Sequence, residues 1–281
     1  MYLDWAATAP PSREIADFMR DAALGNFGNP SSIHGWGEKA KNLLEDSRRL
    51  CAEILDCDAG LVRFTSGGTE ANNIAVLSLL RRPRPGHAVM SAVEHASVYE
   101  PGRVLERFGW RVTRVGRGRS GAIGAEEVGK ALRPDTALVA VMLVNNETGM
   151  VQPLEEIAAL LRKREAAGGP RVHLHADAVQ AAGKIPFSVR GLGVDSLSVS
   201  AHKFRGPRGV GLLVAGGSPE PLYSGGGQEG GLRPGTENTA GIAAMGFALD
   251  LAARDREKNL DHARNLAAAL VDGLGSCRQC R

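Results

Sequence analysis

Seven short apolar runs are spaced along this chain, and stretches with the periodicity of amphipathic helices separate most of them. Runs of this kind are typical of buried strands, and they occupy residues 62–65, 88–93, 111–115, 137–144, 172–176, 194–200 and 210–214. The helical stretches include residues 39–55, 69–80, 97–108, 125–132 and 154–165. Strands that alternate with helices predict an α/β fold with a mostly parallel sheet, and ligands at the carboxyl ends of its strands.

The composition indicates a soluble globular protein without a nucleic-acid or membrane partner. With 281 residues, 43% of them hydrophobic, the chain can form one large core or one large domain plus part of a second. Its 34 basic and 31 acidic residues are scattered, and no aromatic residues alternate with the arginines as a base-stacking surface requires. Because no leader and no run of about eighteen apolar residues is visible, the sequence predicts a cytoplasmic location.

The four cysteines do not favour a metal or redox function. Cys51 and Cys57 lie in a helical pattern, and Cys277 and Cys280 form a C-x-x-C pair near the last residue. A metal or redox site would need a second pair or a strand-to-helix context.

The pattern changes after Asn238 to a long helix that leads out of the predicted sheet. The sequence therefore predicts an N-terminal arm at 1–14 and a large domain at 15–240. Residues 241–281 would form a connector helix and the start of an incomplete C-terminal domain.

Lys203 is a candidate Schiff-base lysine, because it follows an apolar strand and precedes a glycine-rich turn. At a partly desolvated sheet edge the pKa of a lysine falls, which makes its amine nucleophilic. Ser200 and His202 flank it with groups able to hold a phosphate. The alternative is an ordinary solvated loop lysine.

A second candidate segment, Thr65-Ser-Gly-Gly-Thr69, follows a predicted strand and begins a helix. Gly67 and Gly68 allow close backbone approach, and Thr69 lies at the helix N-terminus, which together form an anion site. An ordinary helix cap is the alternative.

The strand His173-Leu-His175-Ala-Asp177 places three ligand-type side chains on one face. They suggest a metal site, or else a carboxylate at Asp177 that pairs with a protonated ring nitrogen. Gln180 would reach the same ring.

His95 and Asn146 also follow predicted strands. The imidazole of His95 would stack on a flat cofactor or move protons, although histidines there often cap a helix. The amides near Asn146 would face the same sheet edge or form a simple turn.

In these segments the chain resembles the cysteine desulfurases of the class V aminotransferase group, which are fold-type I enzymes that use pyridoxal 5'-phosphate. The resemblance covers nearly the whole chain. It also includes Tyr2-Leu-Asp4, Ala6-Ala-Thr8, Gly28-Asn-Pro-Ser-Ser32 and the glycine-rich segment 225–238. It implies a large domain with a mixed, mostly parallel sheet and flanking helices, with the small C-terminal domain largely missing.

The resemblance implies a role for each candidate residue. Lys203 would bind the cofactor covalently and shuttle protons, Asp177 would pair with the ring nitrogen, and Gln180 would contact the ring hydroxyl. His95 would stack on the ring as a second catalytic residue, and Asn146 would line the cofactor.

The phosphate would be held by a further set of residues, which are Gly68, Thr69, Ser200 and His202. Thr236 would reach the phosphate of the other subunit, which implies a homodimer with shared sites.

The family reaction converts L-cysteine to L-alanine and passes the sulfur, as an enzyme persulfide, to iron–sulfur cluster assembly or thiolation. The nucleophilic cysteine loop and the arginine that binds the substrate carboxylate have no counterpart in this chain. We therefore expect a truncated form with little activity. A selenocysteine lyase or another class V enzyme is the alternative within enzymes, and a non-catalytic dimerisation or binding remnant is the alternative outside them.

Overall fold

A mixed sheet of seven strands lies at the centre of the computed structural model, which describes residues 1–217 and 219–275. The strands are β1 (Val62–Thr65), β2 (His87–Ser91), β3 (Arg111–Val115), β4 (Thr136–Ala140), β5 (His173–Asp177), β6 (Ser196–Ser200) and β7 (Gly211–Ala215). Their order across the sheet is β1-β7-β6-β5-β4-β2-β3. Only β7, among the described strands, runs antiparallel to its neighbours. The predicted α/β fold with a mostly parallel sheet is confirmed.

The orientation of β7 follows from the length of its connection. Residues 201–210 join β6 to β7, and a parallel neighbour would need a crossover of about a dozen residues or more. The chain therefore turns back beside β6.

Most strands begin and end within two residues of their predicted bounds, but β4 is shorter than the predicted strand at 137–144. Beyond Ala140 the chain leaves the regular ladder, yet the N–H groups of Val141 and Leu143 still donate to the carbonyls of His175 and Asp177. The apolar pattern continues because this segment stays buried beside β5.

Helices cover both faces of the sheet. They are α1 (Arg13–Gly25), α2 (Gly35–Leu55), α3 (Gly68–Leu77), α4 (Ala96–Arg107), α5 (Ala125–Ala131), α6 (Leu154–Ala166), the single turn α7 (Val189–Leu192), α8 (Thr239–Arg254) and α9 (Arg256–Gly275). Helix α2 begins four residues before the predicted stretch, because the Nδ1 atom of His34 accepts the N–H of Gly37 at 3.2 Å and caps the helix. None of the described helices combines the length and apolar character needed to cross a bilayer.

The last two described helices differ in their packing. Helix α8 buries Ile242, Met245 and Leu249 in the main core. Helix α9 has no buried residue. The predicted domain boundary at 240 stays a prediction, and Cys277 and Cys280 lie outside the described residues.

Candidate active site

The carboxyl ends of β1, β5 and β6, together with the segments after β2 and β4, border a cleft of about 780 Å³. The predicted site residues that line it are Gly68, Thr69, His95, Asn146, Asp177, Gln180, Ser200, His202 and Lys203. Thr236 does not line it and is exposed. The structure thus brings residues from five separate segments to one edge of the sheet.

Lys203 lies in a short 3-10 turn, Ala201–Phe204, that directly follows β6. Its Nζ atom donates to the carbonyls of Ala6 at 2.8 Å and Ala7 at 2.9 Å. Burial lowers the pKa of this amine, because it disfavours the ammonium form, while the carboxylates of Asp177 and Asp4 oppose that shift. The lysine is therefore held in place inside the cleft and is not a freely solvated loop residue.

The N-terminal arm covers this side of the cleft. The N–H of Ala9 donates to the carbonyl of His202 at 2.9 Å, and the hydroxyl of Thr8 lies 3.1 Å from Nδ1 of the same histidine. The Nε2 atom of Gln180 donates to the carbonyl of Ala6 at 3.0 Å. Since Lys203 donates to that same carbonyl, the arm links the lysine to Gln180.

The N-terminus of α3 lies at the end of β1, where the sequence predicts an anion site. A Cβ atom at Gly68 would lie only 2.5 Å from Cγ2 of Val179, so glycine is required for this close approach. The hydroxyls of Thr69 and Ser200 line the cleft beside it, and no described residue forms a hydrogen bond with either of them. Helix-end N–H groups and free hydroxyls are the donors that a phosphate needs.

Asp177 ends β5 and is 4% exposed. Its Oδ1 accepts the N–H of Val179 at 2.9 Å, and its Oδ2 accepts Nδ2 of Asn72 at 2.7 Å. Burial raises the pKa of this carboxyl, with partial opposition from those two hydrogen bonds. No described lysine, arginine or histidine forms an ion pair with it. A cationic ring nitrogen in the cleft would supply the missing countercharge.

The two histidines of β5 face the same side as Asp177, as the period of two predicts. His175 lies between Ser196 and Asn72, and burial lowers its pKa to about 3. His173 contacts Ser196 as well. Across residues 1–217 and 219–275 no group of three or more His, Cys, Asp or Glu has the arrangement of a metal site. The structure therefore gives the metal alternative for this strand no support.

His95 is both a helix cap and a cleft residue. It is the N-cap of α4, and its Nδ1 atom accepts the N–H of Ser97 at 3.1 Å. The hydroxyl of Ser97 lies 2.7 Å from the same nitrogen. The helix-cap interpretation of this histidine is confirmed, and its role toward a cofactor stays a prediction.

The sequence allowed the asparagines after β4 either to form a turn or to face the sheet edge, and the structure shows one of each. The Oδ1 atom of Asn145 accepts the N–H groups of Glu147 and Thr148 and so forms the turn. Asn146 lines the cleft.

Lys184 and Glu94 are charged residues near the cleft that the sequence analysis did not identify. The Nζ atom of Lys184 donates to Oε1 of Gln180 at 2.6 Å, and burial lowers the pKa of this lysine to about 8.

Glu94 is buried, and burial raises its pKa to about 8. Its Oε1 accepts from Ser91 and from the N–H of Met142, while its Oε2 has no partner among the described residues. In the sequence, the only indication that Glu94 lies near the cleft is its position directly before His95.

The described thiols lie away from the cleft. Cys51 is buried in α2, and burial raises its pKa to about 12. Burial also raises the pKa of Cys57, to about 11. Neither side chain lines the cleft.

Comparison with known proteins agrees with this geometry. The profile of the aminotransferase class-V family matches residues 1–281. A "Cysteine desulfurase IscS" from Dictyoglomus turgidum is 40% identical over 270 residues, which are 95% of this chain and 67% of the relative. A "Cysteine desulfurase" from Mus musculus is 38% identical over 281 residues, which are 98% of this chain and 60% of that protein.

Solved structures show the same relationship. A "NIFS-LIKE PROTEIN" superposes with a TM-score of 0.90 at 35% identity, over 96% of this chain and 74% of that one. A structure titled "SspA in complex with cysteine" gives a TM-score of 0.83 at 36% identity, over 89% of this chain and 72% of that one. The fold and cleft are those of an α/β enzyme with a lysine at the sheet edge. The chain belongs to the aminotransferase class-V family, among its cysteine desulfurases. It spans between 57% and 72% of the length of the first curated relatives that it matches.

Proposed function

We propose that the cleft binds pyridoxal 5'-phosphate and that the protein is a cysteine desulfurase, which converts L-cysteine to L-alanine and passes the sulfur on as a persulfide. One observation carries the proposal. Lys203 and the unpaired, buried carboxylate of Asp177 line a single cleft next to the N-terminus of α3. An amine, a carboxylate and an anion site are the three contacts that this cofactor requires.

The proposed cofactor contacts are made by residues that line the cleft. Gly68, Thr69, Ser200 and His202 would hold the phosphate, and Asp177 would keep the ring nitrogen protonated. His95 would lie against the ring, with Gln180 and Asn146 at its edge. Bound there, the cofactor supplies an electron-accepting ring next to the amine of the substrate.

Lys203 would move the protons of this reaction. Its lowered pKa increases the fraction of neutral amine, which can take a proton from the α-carbon of the substrate and return one. The carbonyls of Ala6 and Ala7 hold Nζ in the cleft. His95, with its Nδ1 engaged by Ser97, would exchange a proton through its other nitrogen.

The sulfur transfer needs a thiol acceptor. The Cβ–S bond of cysteine breaks, the acceptor thiol becomes a persulfide, and its proton completes the methyl group of alanine. Cys51 and Cys57 cannot serve, because both are away from the cleft and their raised pKa values keep them protonated. The acceptor is therefore a thiol outside the described residues, and a sulfur-acceptor or iron–sulfur scaffold protein would receive the sulfur from it.

The assembly and location belong to the same proposal. We infer a cytoplasmic homodimer, in which the exposed Thr236 of one subunit reaches the phosphate bound by the other. Sedimentation with and without the cofactor tests the dimer, and cell fractionation tests the location.

A cofactor titration with a cysteine assay tests the function. The purified chain is mixed with pyridoxal phosphate, and the absorbance of the bound cofactor is compared between wild type and Lys203→Ala. L-cysteine and an excess of a small thiol are then added, and alanine and sulfide are measured.

We expect a lysine-dependent absorbance band and slow alanine formation that depends on the added thiol. Well-folded protein without such a band would overturn the proposal. Rapid turnover without added thiol would contradict the expectation of low activity.

A further inference from the structure

Asn72 is a fully buried side chain on α3 that the proposed mechanism does not use. It is 0% exposed and makes four hydrogen bonds. Its Nδ2 donates to Oδ2 of Asp177 at 2.7 Å and to Oγ of Ser97 at 2.8 Å. Its Oδ1 accepts from Nε2 of His175 at 2.9 Å and from Oγ of Ser198 at 2.5 Å. One amide thus contacts four side chains from three other elements, β5, β6 and α4, beneath the cleft.

The partners of Asn72 fix the orientation of its amide. The amide nitrogen faces Asp177, whose Oδ2 accepts one of its two N–H groups. The amide oxygen then faces His175 and Ser198, which therefore both donate to it. Since burial keeps His175 neutral, its single ring proton is at Nε2. Both donors and both acceptor sites of Asn72 are used.

The contact between Asn72 and Ser97 also determines which ring nitrogen of His95 carries a proton. The N–H of Ser97 can only donate, so Nδ1 of His95 carries no proton. The oxygen of Ser97 accepts from Asn72, which leaves the hydroxyl proton to point at the same Nδ1. The neutral ring therefore carries its proton on Nε2.

We propose that Asn72 is a positioning residue for two cleft residues, holding the carboxylate of Asp177 directly and the ring of His95 through Ser97. Each oxygen of Asp177 receives one N–H from the protein, from Val179 or from Asn72. The remaining lone pairs stay available to the cleft, and rotation of the carboxylate would break both bonds. The effect of Asn72 on cofactor binding rests on the proposed function, whereas the hydrogen bonds that position Asp177 and His95 do not.

The test compares Asn72→Ala with Asn73→Ala, which removes the same side chain one residue further along α3. Asn73 is half-buried, and its side chain forms a hydrogen bond only with the carbonyl of Thr69, at 2.8 Å. Two quantities are measured with the full chain. They are the dissociation constant of pyridoxal phosphate and the ¹⁵N chemical shift of its labelled ring nitrogen, which reports whether that nitrogen is protonated.

We expect Asn72→Ala to weaken cofactor binding about 10- to 100-fold, the range for losing a hydrogen bond to a charged group, and to move the ring-nitrogen signal toward the unprotonated form. Asn73→Ala should change binding less than about twofold, as expected for a side chain that contacts none of the cleft side chains. Equal behaviour of the two variants would overturn the inference.

Asp177→Asn separates a failure of this inference from a failure of the proposed function. If that variant leaves both the affinity and the ring-nitrogen signal unchanged, the cofactor assignment is wrong. If Asp177→Asn changes both and Asn72→Ala matches Asn73→Ala, only the role of Asn72 is wrong.

A milder variant keeps the test valid if Asn72→Ala unfolds. Ser97→Ala removes one hydroxyl and leaves the Asn72–Asp177 contact in place. In the ligand-free protein with ¹⁵N-histidine, this variant should move the Nδ1 signal of His95 and leave that of His175 unchanged, and Ser97→Thr should restore it. An unmoved Nδ1 signal would overturn the link from Asn72 to His95.

Discussion

Arg48 and Glu229 form a buried, bidentate ion pair between α2 and the glycine-rich segment 225–238. Nη1 and Nη2 of the arginine each donate to a different carboxylate oxygen at 2.8 Å. Glu229 also accepts the N–H of Phe64 at 2.7 Å, and Arg48 donates to the carbonyl of Val62. Both contacts are on β1, so the pair fastens the glycine-rich segment to the strand that leads into the anion site.

Removing one partner of this pair should destabilise the protein strongly. Glu229→Ala leaves the buried guanidinium of Arg48 with only the partly exposed carboxylate of Glu45 beside it. Loss of one partner of a buried pair costs about 3–5 kcal/mol. The matched control is Asp46→Ala, which breaks the exposed pair between Asp46 and Arg49 on the same helix and costs about 0–1 kcal/mol. Urea denaturation measures both, and equal midpoints for the two variants would show that the buried pair contributes nothing special.

Gly68→Ala should weaken phosphate binding because its Cβ would collide with Val179. The helix end would have to move by a few tenths of an ångström or more, and its N–H groups would no longer converge on the anion. We expect a loss of at least about tenfold in affinity for pyridoxal phosphate, as for one disrupted charged hydrogen bond.

Shortening Val179 should restore the affinity that Gly68→Ala loses. In the double variant Gly68→Ala/Val179→Ala the added methyl group fits in the space that Cγ2 vacates, and fluorescence titration should show most of the affinity restored. Gly25→Ala, where nothing lies within 4 Å of the new atom, serves as the control. An unrestored double variant would mean that the glycine is needed for another reason.

Glu94 should make the stability of the ligand-free protein depend on pH. Its pKa is about 8 in the folded protein and 4.5 ordinarily, so folding binds a proton between these values. The stability it contributes is fully present below about pH 4.5 and is lost as the pH rises through about 8. Nearby Asp177 adds to the repulsion once Glu94 ionises.

Glu94→Gln removes this titration and keeps the shape of the side chain. Between about pH 5 and pH 9 the free energy of unfolding should fall by about 2–4 kcal/mol more in wild type than in the variant, at 1.36 kcal/mol for each unit of pKa shift. Guanidinium denaturation at several pH values measures the difference. Parallel curves for the two proteins would contradict a raised pKa for Glu94.

The sequence predicted the fold well because strands buried on both faces leave continuous apolar runs, as in β4 and β7. It also predicted that Lys203, Asp177 and His95 lie together. Polar and ionisable side chains that follow parallel strands meet at one edge of the sheet.

Residues that act from beneath the cleft were missed because their signal is weaker. Asn72 is a polar residue on the inward face of α3, between the buried Ala71 and Ile74, and this pattern does not reveal its partners. The contact between Lys184 and Gln180 is local in sequence, but the desolvation that lowers the pKa of Lys184 depends on how distant elements pack. The same holds for the pairing of Arg48 with Glu229, which are 181 residues apart.

The proposed function depends most directly on Lys203, which would bind the cofactor covalently. The protein is incubated with pyridoxal phosphate, reduced with borohydride and digested, and the modified lysine is located by mass spectrometry. Lys184 is an internal competitor, because its pKa of about 8 also makes it reactive. We predict one reduced phosphopyridoxyl group on Lys203 and unmodified Lys184. Modification of Lys184 or of surface lysines, with Lys203 unmodified, would contradict the account.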